Sequence, residues 1–159
     1  MELSALPEVV FQLLLDPLIL AKVIPGCHAL EQIGDNRYRA DVTLGVGMVR
    51  ARFTAEIGLS ELNPPHSLRL SAFGLSPLGT ASGTGLIVLE RAGSGTRLNY
   101  DYAAEVSGKV AAVGARMLEG ASKIVLRQLF EQLGRHVEGH AAAQEAWWRS
   151  LLRRIGLRP

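Results

Sequence analysis

Between residues 37 and 106 the sequence alternates between apolar and polar positions with a period of two, in one segment after another. From Arg37 to Val46, for example, apolar residues occupy the even-numbered positions. Successive residues of a strand point to opposite faces of a sheet, so the pattern predicts antiparallel strands with one apolar and one polar face. The segments that show it, some more weakly, are residues 28–33, 37–46, 49–59, 68–72, 80–90 and 97–106. We therefore predict about six antiparallel strands whose apolar face must be covered.

The only long helical pattern in the sequence runs from Gly108 to about Val137. Apolar residues recur there every three to four positions, which places them on one side of a helix. At about 1.5 Å per residue, about 30 residues span about 45 Å, enough to lie across a whole sheet. Gly114 and Gly120 leave the first half of the apolar side thinly covered. We predict that this helix covers the sheet and leaves an apolar cavity between the two.

Two short helical segments precede the strands. Leu6 to Leu15 is helical in pattern, with Ser4 as the candidate N-cap. Asp16-Pro17 ends this helix, and Leu18 to Val23 forms a second one, which Ile24-Pro25-Gly26 ends. A helix pair, an antiparallel meander and a long helix, in that order, predict an α+β fold.

The composition limits the classes of protein to which this chain can belong. A chain of 159 residues with 48% hydrophobic content fits one domain with a sizeable core. No apolar run reaches the roughly 18 residues that a spanning helix needs, so we predict a cytoplasmic protein. Cys27 is the only cysteine, which excludes an intrachain disulfide, and we interpret it as a small buried hydrophobe. The net charge of +2 resides in the residues after 138, so the body lacks the basic stripe of a nucleic-acid-binding protein.

The C-terminal segment, residues 139–159, differs from the domain of residues 1–138 before it. At about 100° per residue its large apolar side chains fall on one side of a helix and most of its arginines on the other. Two tryptophans beside four arginines are typical of a helix in a membrane interface. The alternative is a helix that packs on its own body or on a twin subunit. The predicted membrane-binding residues are Trp147, Trp148, Arg149, Leu151, Leu152, Arg153 and Arg154, with Ile155 on the same apolar side.

Four short motifs, in order, carry a resemblance to a known family. They are Ile24-Pro25-Gly26-Cys27, the stretch from Gly45 to Phe53, the stretch from Gly95 to Tyr100, and the stretch from Gly108 to Arg116. Over roughly residues 5 to 137 the sequence resembles the CoxG family, named for the G subunit of carbon monoxide dehydrogenase, within the START/Bet v 1-like (SRPBCC) superfamily. The resemblance implies a helix-grip fold, in which an antiparallel sheet wraps around a long C-terminal helix.

The same resemblance implies a function. It indicates a non-enzymatic protein that binds a hydrophobic ligand, a quinone or another lipid, and recruits a CO dehydrogenase-type molybdenum hydroxylase to the inner face of the cell membrane. Family members usually open with a strand of about ten residues, where this chain has only Met1 to Ala5, so the usual first strand is missing. An uncovered strand edge invites pairing, and we expect self-association along residues 97–106 or coverage by the tail of another copy.

The predicted cavity is apolar, with tyrosine hydroxyls as its main polar groups. Its predicted ligand-binding residues are Tyr38, Val42, Leu44, Phe53, Ile57, Leu70, Tyr100, Met117, Ala121 and Ile124. No His, Asp or Glu points inward in the clear strands, so we predict no catalytic residue. His136 and His140 lack the order of a zinc-protease motif, and we predict no metal. The alternatives are a polyketide cyclase or dehydrase-like enzyme on the same fold and a purely structural assembly factor.

Overall fold

The computed structural model describes residues 1–46, 49–154 and 156, apart from the side chains of residues 46, 49 and 140–145. One antiparallel sheet of seven strands, in the order β1-β7-β6-β5-β4-β3-β2, lies beside two short helices and one long C-terminal helix. The elements are β1 Glu2–Leu3, α1 Pro7–Leu14, α2 Pro17–Val23, β2 Cys27–Gly34, β3 Arg37–Val46, β4 Val49–Asn63, β5 Ser67–Ser76, β6 Gly79–Ala92, β7 Gly95–Ser107, a 3₁₀ segment Gly108–Val113 and α3 Ala115–Arg154.

Each of the two N-terminal helices begins at a proline, Pro7 in α1 and Pro17 in α2. The N-cap of α1 is Leu6, whose side chain forms no capping hydrogen bond, so the prediction of Ser4 as the N-cap is wrong. Asp16 caps α2, because its side chain accepts a hydrogen bond of 2.9 Å from the Leu18 N–H. The break predicted at Asp16-Pro17 is therefore confirmed, with Pro17 in the first turn of α2.

The six predicted strands are β2 to β7, and the first strand is reduced rather than missing. It consists of two residues, Glu2 opposite Arg97 and Leu3 opposite Thr96, so the prediction of a sheet without this strand needs correction. The buried Thr96 hydroxyl donates a hydrogen bond of 2.7 Å to the carbonyl of Ala5 and fixes the end of β1 on β7. The chain then enters α1, so β1 covers only the beginning of the β7 edge.

The long helix differs from the predicted one at both ends. Residues Gly108–Val113 form a 3₁₀ segment, which stops at Gly114, where φ is 96°. Glycine is the residue that adopts a positive φ at little cost, so Gly114 can turn the backbone there. The helix α3 therefore begins only at Ala115. The helix does not end near Val137, as we predicted, but continues through Gly139 to Arg154. The segment 139–159 is thus in part a continuation of α3.

Two clusters of buried side chains hold α3 against the sheet. The larger joins α1, α2 and the sheet to Phe130, Leu133 and Val137 of α3, the last two with no exposed surface. The smaller contains Phe53 and Val110, with Leu118 of α3 packed against it. Between these attachments, much of the stretch from Ala115 to Leu129 is only partly buried or exposed. This stretch faces the candidate site.

Candidate functional site

A cleft of about 460 Å³ lies between the first half of α3 and the end of β3, and we call it the α3–β3 cleft. One wall comes from the α2–β2 loop and β3, and the other from three turns of α3. Its lining residues are Pro25, Gly26, Thr43, Leu44, Gly45, Met117, Gly120, Ala121, Ile124, Val125 and Gln128.

The first wall depends on the contact between Gly26 and Thr43. Gly26 has φ 73°, and a Cβ atom there would lie 2.0 Å from the Thr43 carbonyl oxygen, so only glycine fits. The Thr43 N–H donates a hydrogen bond of 3.0 Å to the Gly26 carbonyl. Because β2 begins at Cys27, opposite Val42, the stretch of β3 after Thr43 has no β2 residue beside it. The cleft opens at this uncovered stretch.

The chemistry of the α3–β3 cleft is mostly apolar. None of its eleven described lining residues carries an ionisable side chain, and only Thr43 and Gln128 have polar ones. The Thr43 hydroxyl is hydrogen-bonded to Nε2 of His28, 2.8 Å away. Met117 and Ile124 line the cleft yet are 47% and 46% exposed. Large apolar side chains left in water around a concave surface are typical of a binding site for an apolar molecule.

A second cleft, of about 380 Å³, lies between α3 and β7, and we call it the α3–β7 cleft. Its lining residues are Tyr102, Ala103, Ala104, Val106, Ala115, Leu118, Glu119 and Ser122. The Glu119 carboxylate is solvent-exposed and forms an ion pair of 3.4 Å with Lys123. The Ser122 hydroxyl donates a hydrogen bond of 2.9 Å to the Leu118 carbonyl. Sequence reasoning did not anticipate this cleft, although the consecutive alanines of β7 mark a thinly covered part of the sheet.

The structure brings four of the ten predicted ligand-binding residues together in the α3–β3 cleft: Leu44, Met117, Ala121 and Ile124. Four others, Tyr38, Val42, Phe53 and Ile57, are buried in the two cores. Leu70 is packed against the larger core, and Tyr100 stacks on Phe130 with ring centroids 4.4 Å apart. The sequence prediction identified the residues on the apolar face of the sheet. It could not distinguish the part of that face that core side chains cover from the part that borders a cleft.

Two titratable side chains with raised pKa values, the buried Tyr38 and the partly buried Cys27, line neither cleft. Burial, helped by the charge of Asp16, raises the pKa of the Tyr38 hydroxyl, which lies 3.5 Å from the Leu15 carbonyl. Burial also raises the pKa of the Cys27 thiol, although a hydrogen bond to the Ala29 carbonyl acts in the opposite direction. Cys27 therefore stays a neutral thiol near pH 7, packed against the larger core.

The C-terminal part of α3 exposes its aromatic residues. Trp147 and Trp148 are 59% and 56% exposed and contact each other edge to face, with ring centroids 5.2 Å apart. Leu151 and Leu152 are half-buried, and Arg153 and Arg154 are exposed. Ile155, which we placed on the same apolar side, lies outside the described residues.

The described part of the chain shows neither a metal-ligand cluster nor a spanning helix. Within residues 1–46, 49–154 and 156, outside the side chains not described, no three His, Cys, Asp or Glu residues are grouped as metal ligands would be. The His140 side chain is outside that set. Over the same described ranges, no helix is both long and apolar enough to cross a membrane.

The chain forms an open antiparallel sheet. Two short helices follow the first strand, and one long helix follows the last strand and leaves clefts beside the sheet. This arrangement defines an α+β protein of the helix-grip class. The family model of the carbon monoxide dehydrogenase G subunit (CoxG) matches residues 1–138, and the chain belongs to this family. The predicted family and fold class are thereby confirmed.

Solved structures place the chain among similar folds. A conserved protein from Geobacillus kaustophilus is 36% identical, with a TM-score of 0.82 over 87% of this chain and 92% of that one. A Thermus thermophilus protein is 19% identical, with a TM-score of 0.64 over 88% and 94% of the two chains. The ZhuI aromatase/cyclase from a Streptomyces species is 16% identical, with a TM-score of 0.59 over 87% and 90%. We found no match among curated proteins.

Together, the CoxG family and the helix-grip fold support a ligand-binding or accessory role. The similarity to the aromatase/cyclase shows a shared fold alone, because fold does not determine chemistry.

Proposed function

We propose that this protein is a non-enzymatic accessory protein that binds a hydrophobic ligand, an isoprenoid quinone, in the α3–β3 cleft. In the same proposal it recruits a CO dehydrogenase-type molybdenum hydroxylase to the inner face of the cell membrane. The observation that carries the ligand-binding part is the cleft itself, where Met117 and Ile124 remain almost half exposed above an apolar space of about 460 Å³.

Size and lining both favour an apolar ligand. Small-molecule sites usually have volumes of about 300–1,000 Å³, with mostly apolar walls and a few polar groups that fix orientation. In the α3–β3 cleft, the Gln128 amide and the Thr43 hydroxyl are the side-chain groups that can bond a quinone oxygen. A quinone ring with an isoprenoid chain would remove Met117 and Ile124 from water, which is the source of its affinity.

The enzyme alternative draws its support from Glu119, the one carboxylate that lines either described cleft. A general acid or base must be positioned toward the substrate, within hydrogen-bonding distance of the proton it moves. Glu119 is exposed and paired with Lys123, which favours an ordinary surface ion pair. The assembly-factor alternative requires no ligand space, so the α3–β3 cleft favours a binding protein over it.

The accessory role is supported by the family, whose name refers to CO dehydrogenase. The membrane part is supported by exposed Trp147 and Trp148 beside the arginines of the same helix. Tryptophan prefers the headgroup region, and arginine is attracted to anionic lipids. Membrane association would then be peripheral.

Mass spectrometry of the organic extract of the protein, purified from cells that also contain the hydroxylase, tests the ligand. We expect an isoprenoid quinone at close to one molecule per chain, because the cleft accommodates one apolar ring system. An extract with no more quinone than that of an unrelated protein purified in parallel would contradict the proposal. A polyketide in the extract would favour the enzyme alternative instead.

A further inference from the structure

The outer edge of β7 is covered only at its beginning. β1 pairs with Thr96 and Arg97, and Met1 bonds to Leu98. From residue 99 to residue 107, no other described strand lies along this edge. Backbone N–H and C=O groups on an open edge can pair with another strand.

The hydrogen bonds of Leu98 show which residues of β7 point outward. The Met1 amino group donates to the Leu98 carbonyl at 3.1 Å, and the Leu98 N–H donates to the Met1 carbonyl at 2.8 Å. The pairing of β7 with β6 has no register shift, so the direction of backbone groups alternates regularly along β7. Tyr100, Tyr102 and Ala104 therefore direct their N–H and C=O groups to the open edge.

On the polar face of the sheet, the open stretch of β7 carries two carboxylates. Asp101 and Glu105 are exposed, and neither forms an ion pair with another residue in the described part of the chain. The residues opposite them on β6 are Leu86 and Ser82, which are uncharged. Because opposite charges on neighbouring strands stabilise a sheet, lysine or arginine is favoured on a strand added beside these carboxylates.

On the apolar face, the same stretch borders the α3–β7 cleft. Tyr100 and Tyr102 are 41% and 40% exposed on this face. Ala104 lines the cleft of about 380 Å³, and Leu118 lines it from the side of α3. A strand added at the edge places side chains opposite both tyrosines and opposite the small Ala104, at the mouth of the cleft. Apolar side chains are favoured at these positions, because they remove apolar surface from water.

The β7 strand of a second copy does not fit this edge when it is centred on Tyr102. With Tyr102 opposite the Tyr102 of the second copy, the second copy's Val106 and Ser107 would lie where Met1 and Glu2 already pair with β7. A two-fold axis nearer the beginning of β7 collides with β1 in the same way.

An axis further along β7 is also unfavourable. At Ala103 it puts Asp101 directly opposite Glu105, which is a destabilising like-charge pair. At Ala104 it leaves Tyr100 beyond the end of the opposing β7 strand. The helix α3 is helical throughout, so the C-terminal part of another copy offers no strand either. The open edge therefore fits a strand from a different protein.

We propose that the open edge of β7 binds an extended segment of another protein, antiparallel to β7 as β1 is, in which apolar and basic residues alternate. The residues of this segment opposite Tyr100, Tyr102 and Ala104 are apolar. Those opposite Asp101 and Glu105 are lysine or arginine. The segment ends or turns away after the residue opposite Tyr100, because β1 occupies the edge from there. The site is separate from the α3–β3 cleft and requires no quinone.

Amide hydrogen exchange, followed residue by residue with NMR, tests the position of the segment. The probe is the peptide Lys-Leu-Thr-Val-Lys-Val, blocked at both ends, whose lysines fall opposite Glu105 and Asp101. We expect it to slow exchange of the outward N–H groups of Tyr100, Tyr102 and Ala104, and to leave the alternate amides that bond to β6 unchanged. The control peptide Lys-Lys-Val-Val-Leu-Thr has the same composition without the alternation and should have a smaller effect.

Three results of this experiment would overturn the proposal. The first is no slowing by the alternating peptide, the second is equal slowing by both peptides, and the third is slowing along β2 instead of β7. Slow exchange at Tyr100, Tyr102 and Ala104 in the chain alone would also overturn it, because a second copy would then already cover the edge.

A charge exchange tests the chemistry of the segment. Asp101→Lys together with Glu105→Lys should raise the dissociation constant of the basic peptide by about tenfold or more. The same variant should prefer the acidic peptide Glu-Leu-Thr-Val-Glu-Val, because opposite charges then face each other again. Glu31→Lys is the matched control: it changes an exposed carboxylate on the same face at the other edge of the sheet and should leave both affinities unchanged.

A charge-exchange variant that binds the basic peptide as well as the parent does would overturn the proposal, and so would an equal loss of affinity in Glu31→Lys. Neither experiment uses a quinone. Failure of this proposal is therefore distinguishable from failure of the proposed function.

Discussion

We expect that replacing Ala121 with tryptophan abolishes the proposed quinone binding and leaves the protein folded. Ala121 lines the α3–β3 cleft and is half-buried, so an indole at this position occupies the space that the ligand would take. The helix keeps its attachment, because Phe130, Leu133 and Val137 lie about two to four turns further along α3.

The effect can be measured by unfolding with and without a short-chain ubiquinone. A ligand that binds only the folded state stabilises it by about 2.7 kcal/mol at a hundredfold excess over its dissociation constant. We expect that gain in the parent and no gain in Ala121→Trp. Arg127→Trp, which introduces the same side chain on the same helix at an exposed position outside the cleft, should retain it. Equal stabilisation of Ala121→Trp would place the ligand elsewhere.

We expect that deleting residues 141–159 abolishes the proposed binding of the protein to anionic vesicles. Burying the apolar side of this helix in the headgroup region removes about 500 Å² of apolar surface from water, on the order of 10 kcal/mol gross at about 25 cal/mol per Å². Lost translational freedom and ordering at the surface offset much of this gain. Each arginine near an anionic surface contributes about 1 kcal/mol, so binding should be reversible and weakened by salt.

Flotation of the protein with vesicles that contain phosphatidylserine measures this effect. Because α3 is held by Val137 and the residues before it, the truncated chain should keep its fold and its quinone-dependent stabilisation. Trp147→Ser with Trp148→Ser in the full-length chain is the matched control: it keeps every arginine and should lose most of the binding. The prediction is contradicted if the truncated chain floats with vesicles as the full chain does, or if the full chain does not bind vesicles at low salt. In either case the C-terminal part of α3 would serve a protein interface.

The sheet was predictable because its signal is local. Tyr38, Ala40 and Val42 alternate with charged or polar residues, and a strand is the one regular structure that places such residues on one face. The resemblance to the CoxG family added the helix-grip arrangement, which periodicity by itself does not specify. The two-residue β1 was missed because Glu2 and Leu3 show no pattern and are held by long-range bonds to β7.

The ends of the long helix were predicted incorrectly because glycine has opposite roles at two positions. Gly139 lies inside α3, where glycine costs about 1 kcal/mol relative to alanine but does not forbid the helix. Gly114 adopts φ 96° and separates the 3₁₀ segment from α3. Because both positions are glycine, the sequence could not show that one interrupts the helix and the other lies within it. The backbone conformation distinguishes the two positions.

The sequence predicted the α3 side of the α3–β3 cleft but not its other wall, which also depends on the backbone path. Its α3 side follows from helical spacing, which brought Met117, Ala121 and Ile124 together. Its other wall depends on the contact between Gly26 and Thr43, which are far apart in sequence and meet through the backbone. Side-chain patterns carry no information about such a contact, so Pro25 and Gly45 were not expected in the site.

Photoaffinity labelling with a diazirine-bearing isoprenoid quinone tests the central claim most directly, because peptide mass spectrometry then locates the ligand in the chain. We predict that label concentrates in two stretches, residues 43–45 and residues 117–128, and is displaced by unlabelled quinone. Label confined to residues 141–159, or spread evenly over the surface without displacement, would contradict a quinone site between α3 and β3.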